Sequence, residues 1–217
     1  MAAIVEIFRD NYGLFLEASG LTLKLTITSL VFGSIIGLFF ALLRISKKKW
    51  LNAIADIYIG IIRGTPLIVQ IAILYFGIAS FVTLSQFWAG SIALAVHNGA
   101  YIAEIFRGAI QGVDKGQMEA GRSLGMSYPS TMKEIILPQA FKLSIPSLGN
   151  QFIICLKDSS LVAYVGMSDL WGVGLSEAAS NYRQLETYAV VGLYYLAIVM
   201  AITFLLKKVE KRLNVQM

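Results

Sequence analysis

The sequence predicts an all-α integral membrane protein with five transmembrane helices. Of its 217 residues, 57% are hydrophobic and only 14% are charged, whereas a soluble domain carries roughly 25% charged residues. The mean hydropathy of +0.69 points the same way. Backbone amides in lipid must be paired internally, and the strict alternation of a membrane β-barrel is absent from the sequence. Helices are therefore expected throughout a single transmembrane domain of residues 1–217.

Five segments have the length of about 20 apolar residues that a helix needs to cross the hydrocarbon layer. They are residues 25–43, about 53–82, 87–107, about 144–165 and 188–206. Pro66 interrupts the second segment and cannot donate to the carbonyl of Ile62, so one long kinked helix is expected there rather than two spans. Glycines four residues apart, Gly33 with Gly37 and Gly60 with Gly64, are expected to let helices of this chain pack closely.

Basic residues set the expected orientation. Lys and Arg number four in residues 44–49, five in residues 107–142 and four in residues 207–212, whereas the other side holds Arg9, Arg183 and little else. Because cytoplasmic loops are enriched in these residues, the N-terminus is expected outside the cell and the C-terminus in the cytoplasm. The net charge of +5 then follows from topology, and no nucleic-acid partner is expected.

The longest polar stretch, about residues 111–142, lies between the third and fourth segments on the predicted cytoplasmic side. A short helix is predicted over residues 114–124, ended by Gly125 as a left-handed cap. A second helix is predicted to start at Ser127 and to close at Pro138. Two short helices joined by a glycine form a compact protrusion that fits a groove on a soluble partner.

Motifs along the chain resemble those of one family. The protrusion carries Glu119-Ala120-Gly121, then Gly125, then Ile135, Leu137 and Pro138; further matches are RGTPL at 63–67, GAYIAE at 99–104, PQA at 138–140, GNQF at 149–152 and KDSSL at 157–161. Together they resemble permease subunits of ABC importers of the type I fold, in the branch for polar amino acids such as histidine, arginine, glutamine and glutamate. The one departure is Gly121, where the family has a second alanine, and it is expected to soften the first helix.

The resemblance implies a division of labour between subunits. The sequence has no G-x-x-x-x-G-K-[ST] loop to cradle a nucleotide, so this chain is expected to hold no cofactor and to be no enzyme. ATP and Mg²⁺ would be bound by two copies of a partner ATPase, which in the family grips the first helix of the protrusion. That contact falls here on Gln117, Glu119, Ala120, Gly121, Leu124 and Gly125. A second permease chain and an extracytoplasmic solute-binding protein complete the implied complex, which works by alternating access.

Polar side chains inside the predicted spans mark a candidate substrate path, because such groups are costly in lipid and need a partner or a function. The predicted substrate-binding residues are His97, Asn98, Tyr101 and Glu104 in the third span and Lys157, Asp158 and Ser159 in the fourth. At 100° per residue, the first group forms one stripe of its helix. No metal site is expected, since Cys155 is the only cysteine.

Structural alternatives stay open for these residues. Glu104 can pair with Arg107, three residues on, instead of contacting a substrate. Lys157 and Asp158 can form an interhelical salt network, and His97 can be a hydrogen-bonded packing residue. Arg63, close to Pro66, is interpreted as structural.

Basic amino acids fit the predicted path best. Asp158 and Lys157 suit the α-ammonium and α-carboxylate of an amino acid, while Glu104 and the ring of Tyr101 suit the side chain of arginine, lysine or histidine. Glutamine or glutamate is the alternative, because Asn98 can read an amide. A less favoured alternative is an ion-coupled secondary transporter, against which stands the lack of an internal repeat pair.

Overall fold

The computed structural model describes residues 2–213, and every regular element within them is helical, which confirms the all-α class. The α-helices are α1 (Ala2–Arg44), α2 (Lys49–Gly64), α3 (Leu67–Ala72), α4 (Gln86–Gly112), α5 (Lys115–Ser123), α6 (Tyr128–Thr131), α7 (Leu137–Asp158), α8 (Leu170–Asn181) and α9 (Gln184–Arg212). π-Helical turns follow α3 at Ile73–Gly77 and α6 at Met132–Ile136, and a 3₁₀ helix, Ser159–Val165, follows α7.

Only some of these helices are both long enough and apolar enough to span a membrane. Among the described residues, Ala3–Arg44 and Gln184–Arg212 are long and apolar enough to cross a membrane, and Lys49–Gly64 with Leu67–Gly77 makes a third if the bent pair is one span. α4 and α7 contain 27 and 22 residues and include polar side chains. At about 1.5 Å per residue each exceeds the roughly 30 Å hydrocarbon layer. The count of five spans stays a prediction.

The second predicted span is broken rather than kinked. α2 ends at Gly64, Thr65 and Pro66 have extended backbone with ψ of 142° and 137°, and the next helix departs at 100°. The expectation of one continuous helix is therefore wrong. Proline not only removes a donor but also pushes the residue before it out of the helical region, so Thr65 cannot continue α2.

α1 runs along the whole bundle and begins well before the predicted span at residue 25. It contains 43 residues, which is about 65 Å of helix. Three buried residues anchor it in successive apolar clusters: Phe15 against α8 and α9, Leu25 against α3, α4 and the 3₁₀ helix, and Ala41 against α2 and α4. One helix therefore organises the positions of most others.

Two glycines bring α4 close to α1. A Cβ at Gly33 would lie 3.0 Å from the carbonyl oxygen of Ala95, and one at Gly37 would lie 2.6 Å from Cγ2 of Ile102. The second distance is too short for a Cβ and the first is tighter than most Cβ contacts, so the predicted packing role of this pair is confirmed. The same prediction is wrong for Gly60 and Gly64, which have no neighbouring atom within 4 Å of a Cβ position in the described part of the chain.

The helix that starts after Ser127 runs on past Pro138. Ser127 accepts a hydrogen bond from the N–H of Ser130, as a helix N-cap does. Pro138 lies at the start of α7, directly after the π-helical turn in which Leu137 N–H donates to the Met132 carbonyl. The expectation that this helix ends at Pro138 is therefore wrong. The π-helical turn before Pro138 accommodates both the missing N–H donor and the bulk of the proline ring.

Candidate functional site

One stripe of α4 faces the break between α2 and α3. His97 Nδ1 lies 3.2 Å from Oε1 of Gln70, and the His97 and Tyr101 rings are 5.2 Å apart. Because an amide oxygen only accepts, the proton of this hydrogen bond is on Nδ1 of His97. The guanidinium of Arg63 lies 5.1 Å from the centre of the Tyr101 ring. The predicted polar stripe is thus built into an interface with the broken helix.

Gln70 holds the break together, and the sequence analysis missed it. Its Nε2 lies 2.9 Å from the Ile62 carbonyl and 2.8 and 3.2 Å from the hydroxyl and carbonyl oxygens of Thr65. A helix that ends leaves its last carbonyls without partners, and Gln70 supplies donors to them. The available signal was a lone amide side chain four residues after Pro66 in an otherwise apolar run.

Glu104 belongs to an ion-pair network that joins α1, α2 and α4. Arg44 Nη1 donates to Glu104 Oε1, and Arg44 Nε lies 2.9 Å from Asp56 Oδ1. Arg107 Nη2 lies 2.9 Å from Glu104 Oε2. The alternative pair of Glu104 with Arg107 is therefore present, and both carboxylate oxygens accept from arginines. Arg44 and Asp56 were missed because no sequence spacing relates them to α4.

Asn98 is fully buried between α4 and α7. Its Nδ2 donates to the Leu94 carbonyl at 2.7 Å and to Cys155 Sγ at 3.3 Å, and its Oδ1 accepts from Gln151 Nε2 at 2.7 Å. Cys155 is itself buried, as expected of a small hydrophobe. The substrate contact predicted for Asn98 is not tested by this geometry, but its bonds to Cys155 and Gln151 join α4 to α7.

Asn98→Leu is expected to destabilise the fold by about 1–3 kcal/mol, because the nearly isosteric side chain leaves the buried amide of Gln151 without its acceptor. Thermal unfolding of the purified protein measures this, and the double variant Asn98→Leu/Gln151→Leu should recover part of the loss. An unchanged midpoint together with lost substrate affinity would instead favour the predicted substrate contact.

Lys157, Asp158 and Ser159 lie at another interface. Lys157 lines an open cavity of about 540 Å³ with Trp171 and Tyr195, on α8 and α9. The Ser159 hydroxyl is buried and donates to the Leu156 carbonyl at 2.7 Å. No ion pair of Lys157 or Asp158 occurs within residues 2–213, so the alternative salt network is absent there. Lys157 and the α4 stripe therefore face different elements.

The first helix of the protrusion, α5, has a defined start and end. Asp114 Oδ1 accepts from Gly116 N–H at 2.6 Å, capping α5. At the other end Gly125 has φ +82°, with Gly125 N–H bonded to the Arg122 carbonyl and Met126 N–H to the Gly121 carbonyl, both at 3.1 Å. This is a Schellman motif, in which glycine adopts the left-handed conformation most readily. The predicted helix and its glycine cap are confirmed.

Gly121 has a packing reason to depart from the family's alanine. It is buried, and a Cβ there would lie 2.6 Å from Cγ2 of Thr131 in α6. Gln117, Glu119, Ala120, Leu124 and Gly125 are exposed instead, Leu124 to 84%. The predicted contact surface is thus open to a partner, while Gly121 joins α5 to α6 beneath it.

Two of the basic segments lie at the same end of the bundle. The Lys47 ammonium, in the loop after α1, lies 5.2 Å from the centre of the Tyr128 ring of α6. At the opposite end Arg183 Nη1 pairs with Glu6 Oε2 at 2.8 Å. This arrangement fits the charge distribution on which the orientation was based, and the side of the membrane that each end faces stays a prediction.

Residues 11–215 match the protein family described as the binding-protein-dependent transport system inner membrane component. The chain belongs to this family. Among its relatives, the arginine transport system permease protein ArtQ of Bacillus subtilis is 38% identical over 201 residues, 92% of each chain. The glutamine transport system permease protein GlnP of Escherichia coli is 36% identical over 205 residues, 93% of this chain and 94% of that one.

Solved structures agree with the family. A crystal structure of an amino acid ABC transporter with histidines superposes with a TM-score of 0.89 at 40% identity, covering 94% of this chain and 96% of that chain. The inward-facing MetNI methionine ABC transporter gives 0.83 at 22% identity, covering 94% and 98%, which shows the shared fold. The predicted resemblance to ABC importer permeases of the type I fold is confirmed. This family member is a membrane transport component that works with an ATPase and a solute-binding protein.

Proposed function

We propose that this chain is the permease subunit of an ATP-driven importer of polar amino acids, with arginine, lysine and histidine as its substrates. The observation that carries the proposal is the similarity, over 94% of the chain at 40% identity, to an amino acid ABC transporter solved with histidines. The arginine permease of Bacillus subtilis adds a second relative named for a basic amino acid. The alternative is glutamine or glutamate, favoured by the 36% identity to GlnP.

The ion-pair network supports a basic substrate. Glu104 accepts from the guanidinium groups of Arg44 and Arg107, so its position already suits the side chain of an arginine substrate. We infer that such a substrate, when the helices move apart, exchanges with one of the two arginines. Contact between Glu104 and the substrate is thus assigned to another state of the alternating-access cycle.

A continuous mechanical path runs from the protrusion to the α4 stripe. The partner ATPase, which binds ATP and Mg²⁺, would grip α5. Gly121 packs α5 against Thr131 of α6, and α6, the π-helical turn and α7 follow one another without a break. The Gln151–Asn98 hydrogen bond then joins α7 to α4. Closing of the ATPase subunits would therefore move α4 relative to the broken helix and open the path alternately to each side.

The proposed complex contains two permease chains, identical or closely related, with two ATPase copies. Closed two-fold symmetry allows both protrusions to meet a paired ATPase at equivalent surfaces. The solute-binding protein would dock on the opposite face and deliver the amino acid.

The test is uptake into vesicles that contain the permease, its ATPase and its binding protein. Labelled arginine should accumulate only with internal ATP, and unlabelled lysine and histidine should compete better than glutamine. The purified permease with its ATPase should weigh as two plus two subunits. Preferential competition by glutamine would establish the alternative substrate class, and uptake driven by an ion gradient without ATP would refute the importer.

A further inference from the structure

Arg63 lies inside a predicted span and has no carboxylate partner among the described residues. It lies in the last turn of α2, is exposed, and stacks on the ring of Tyr101. Within the described residues, four other arginines do lie next to carboxylates, namely Arg9, Arg44, Arg107 and Arg183. Unpaired charge within a membrane span is costly, and where it persists it marks a site that receives a ligand or ion.

The position of Arg63 lies away from the basic end of the bundle. It is seven residues beyond Asp56 on α2, so it is about 10 Å along the helix axis from the ion-pair network. It immediately precedes the 100° break between α2 and α3. Transporters commonly bind their substrates at such interruptions of a helix near the middle of the bilayer.

The surroundings hold the guanidinium while leaving its donors free. The guanidinium lies 5.1 Å from the centre of the Tyr101 ring, and the hydrogen bond of His97 to Gln70 fixes the neighbouring part of the stripe. A guanidinium carries five N–H donors in its plane, and those of Arg63 contact no carboxylate among residues 2–213. Two parallel N–H donors in that plane match the two oxygens of a carboxylate.

We propose that Arg63, which lies over the Tyr101 ring, binds the α-carboxylate of the transported amino acid. The proposal rests on the proposed function, since every amino acid substrate carries this carboxylate whatever its side chain. It moves the carboxylate role from Lys157, which faces α8 and α9, to the interface that also carries Glu104. It also replaces the interpretation of Arg63 as structural.

Equilibrium binding to the detergent-purified permease–ATPase complex, without the binding protein, tests the assignment. The two probes are arginine and argininamide, which lacks the carboxylate. Arg63→Gln should weaken arginine binding roughly 10- to 100-fold, as expected for a charge-assisted pair, and leave argininamide binding unchanged. Arg63→Lys should retain part of the preference for arginine. The matched control is Arg9→Gln, which removes an exposed arginine paired only with its neighbour Asp10.

The outcomes separate the two proposals. Equal losses for arginine and argininamide in Arg63→Gln, or no loss for either, would overturn the assignment and leave the importer intact. If the wild type binds glutamine instead of arginine, glutamine and its α-amide take the place of the two probes, with the same criteria. A wild-type complex that binds neither amino acid would refute the proposed function and the assignment with it.

Discussion

Glu119→Lys and Gly125→Trp are each expected to reduce substrate-stimulated ATP hydrolysis by roughly 30-fold or more, the loss typical of an interface hot spot of about 2 kcal/mol. Glu119 is an exposed charge on α5, and Gly125 ends α5 with φ +82°. Tryptophan is strained in that conformation and would displace the exposed Leu124 beside it. The readouts are copurification with the ATPase and ATP hydrolysis in reconstituted vesicles.

The control, Gly125→Asn, distinguishes the loss of the helix cap from the loss of the contact surface. Asparagine tolerates the left-handed conformation better than other side chains with a Cβ, so Gly125→Asn should keep most of the coupling. All variants should insert into the membrane as the wild type does, since none lies in a predicted span. Normal coupled transport by both Glu119→Lys and Gly125→Trp would remove α5 as the ATPase contact.

Glu104→Gln is expected to lower arginine uptake by roughly 10- to 100-fold and uptake of a neutral amino acid only slightly. The amide keeps the shape of the side chain but loses the charge, and a hydrogen bond to a charged group contributes about 1.5–3 kcal/mol. Competition between arginine and glutamine in the complete vesicle system measures the difference.

Asp56→Asn is the matched control for Glu104→Gln. It removes the other carboxylate that pairs with Arg44, at 2.9 Å, and it does so from α2 rather than from the α4 stripe. Both amino acids should be affected equally by that change, if at all. Unchanged arginine uptake in Glu104→Gln would refute the side-chain assignment and leave the importer itself untouched.

The local elements of the protrusion were predictable because their signals lie within a few residues of one another. Asp114 and Ser127 cap helices through their own neighbouring backbone, and Gly125 ends one through its backbone freedom. The break at Pro66 was only half predicted. The missing donor of proline was recognised, but the extended conformation it imposes on Thr65 decides between a kink and a 100° break.

The candidate site could also be predicted from the sequence only in part. The periodicity of α4 predicted a stripe of His97, Tyr101 and Glu104, and the structure shows these side chains meeting Gln70, Arg63 and Arg44. The partners were not predictable, because nothing in the sequence states which helix a polar face meets. Asn98, one residue from His97, turns to α7 instead and bonds to Gln151.

Composition, helix caps and motif spacing are local properties of the chain, so the class of molecule, the protrusion and the family resemblance could all be predicted from them. The neutralisation of charges could not be predicted in this way. Ion pairs depend on the relative placement of helices, and in this chain Arg44 meets Glu104 across 60 residues. That placement leaves Arg63 over the Tyr101 ring but without a carboxylate among the described residues. Arg63 lies there because α2 ends at the break before α3, beside the polar stripe of α4.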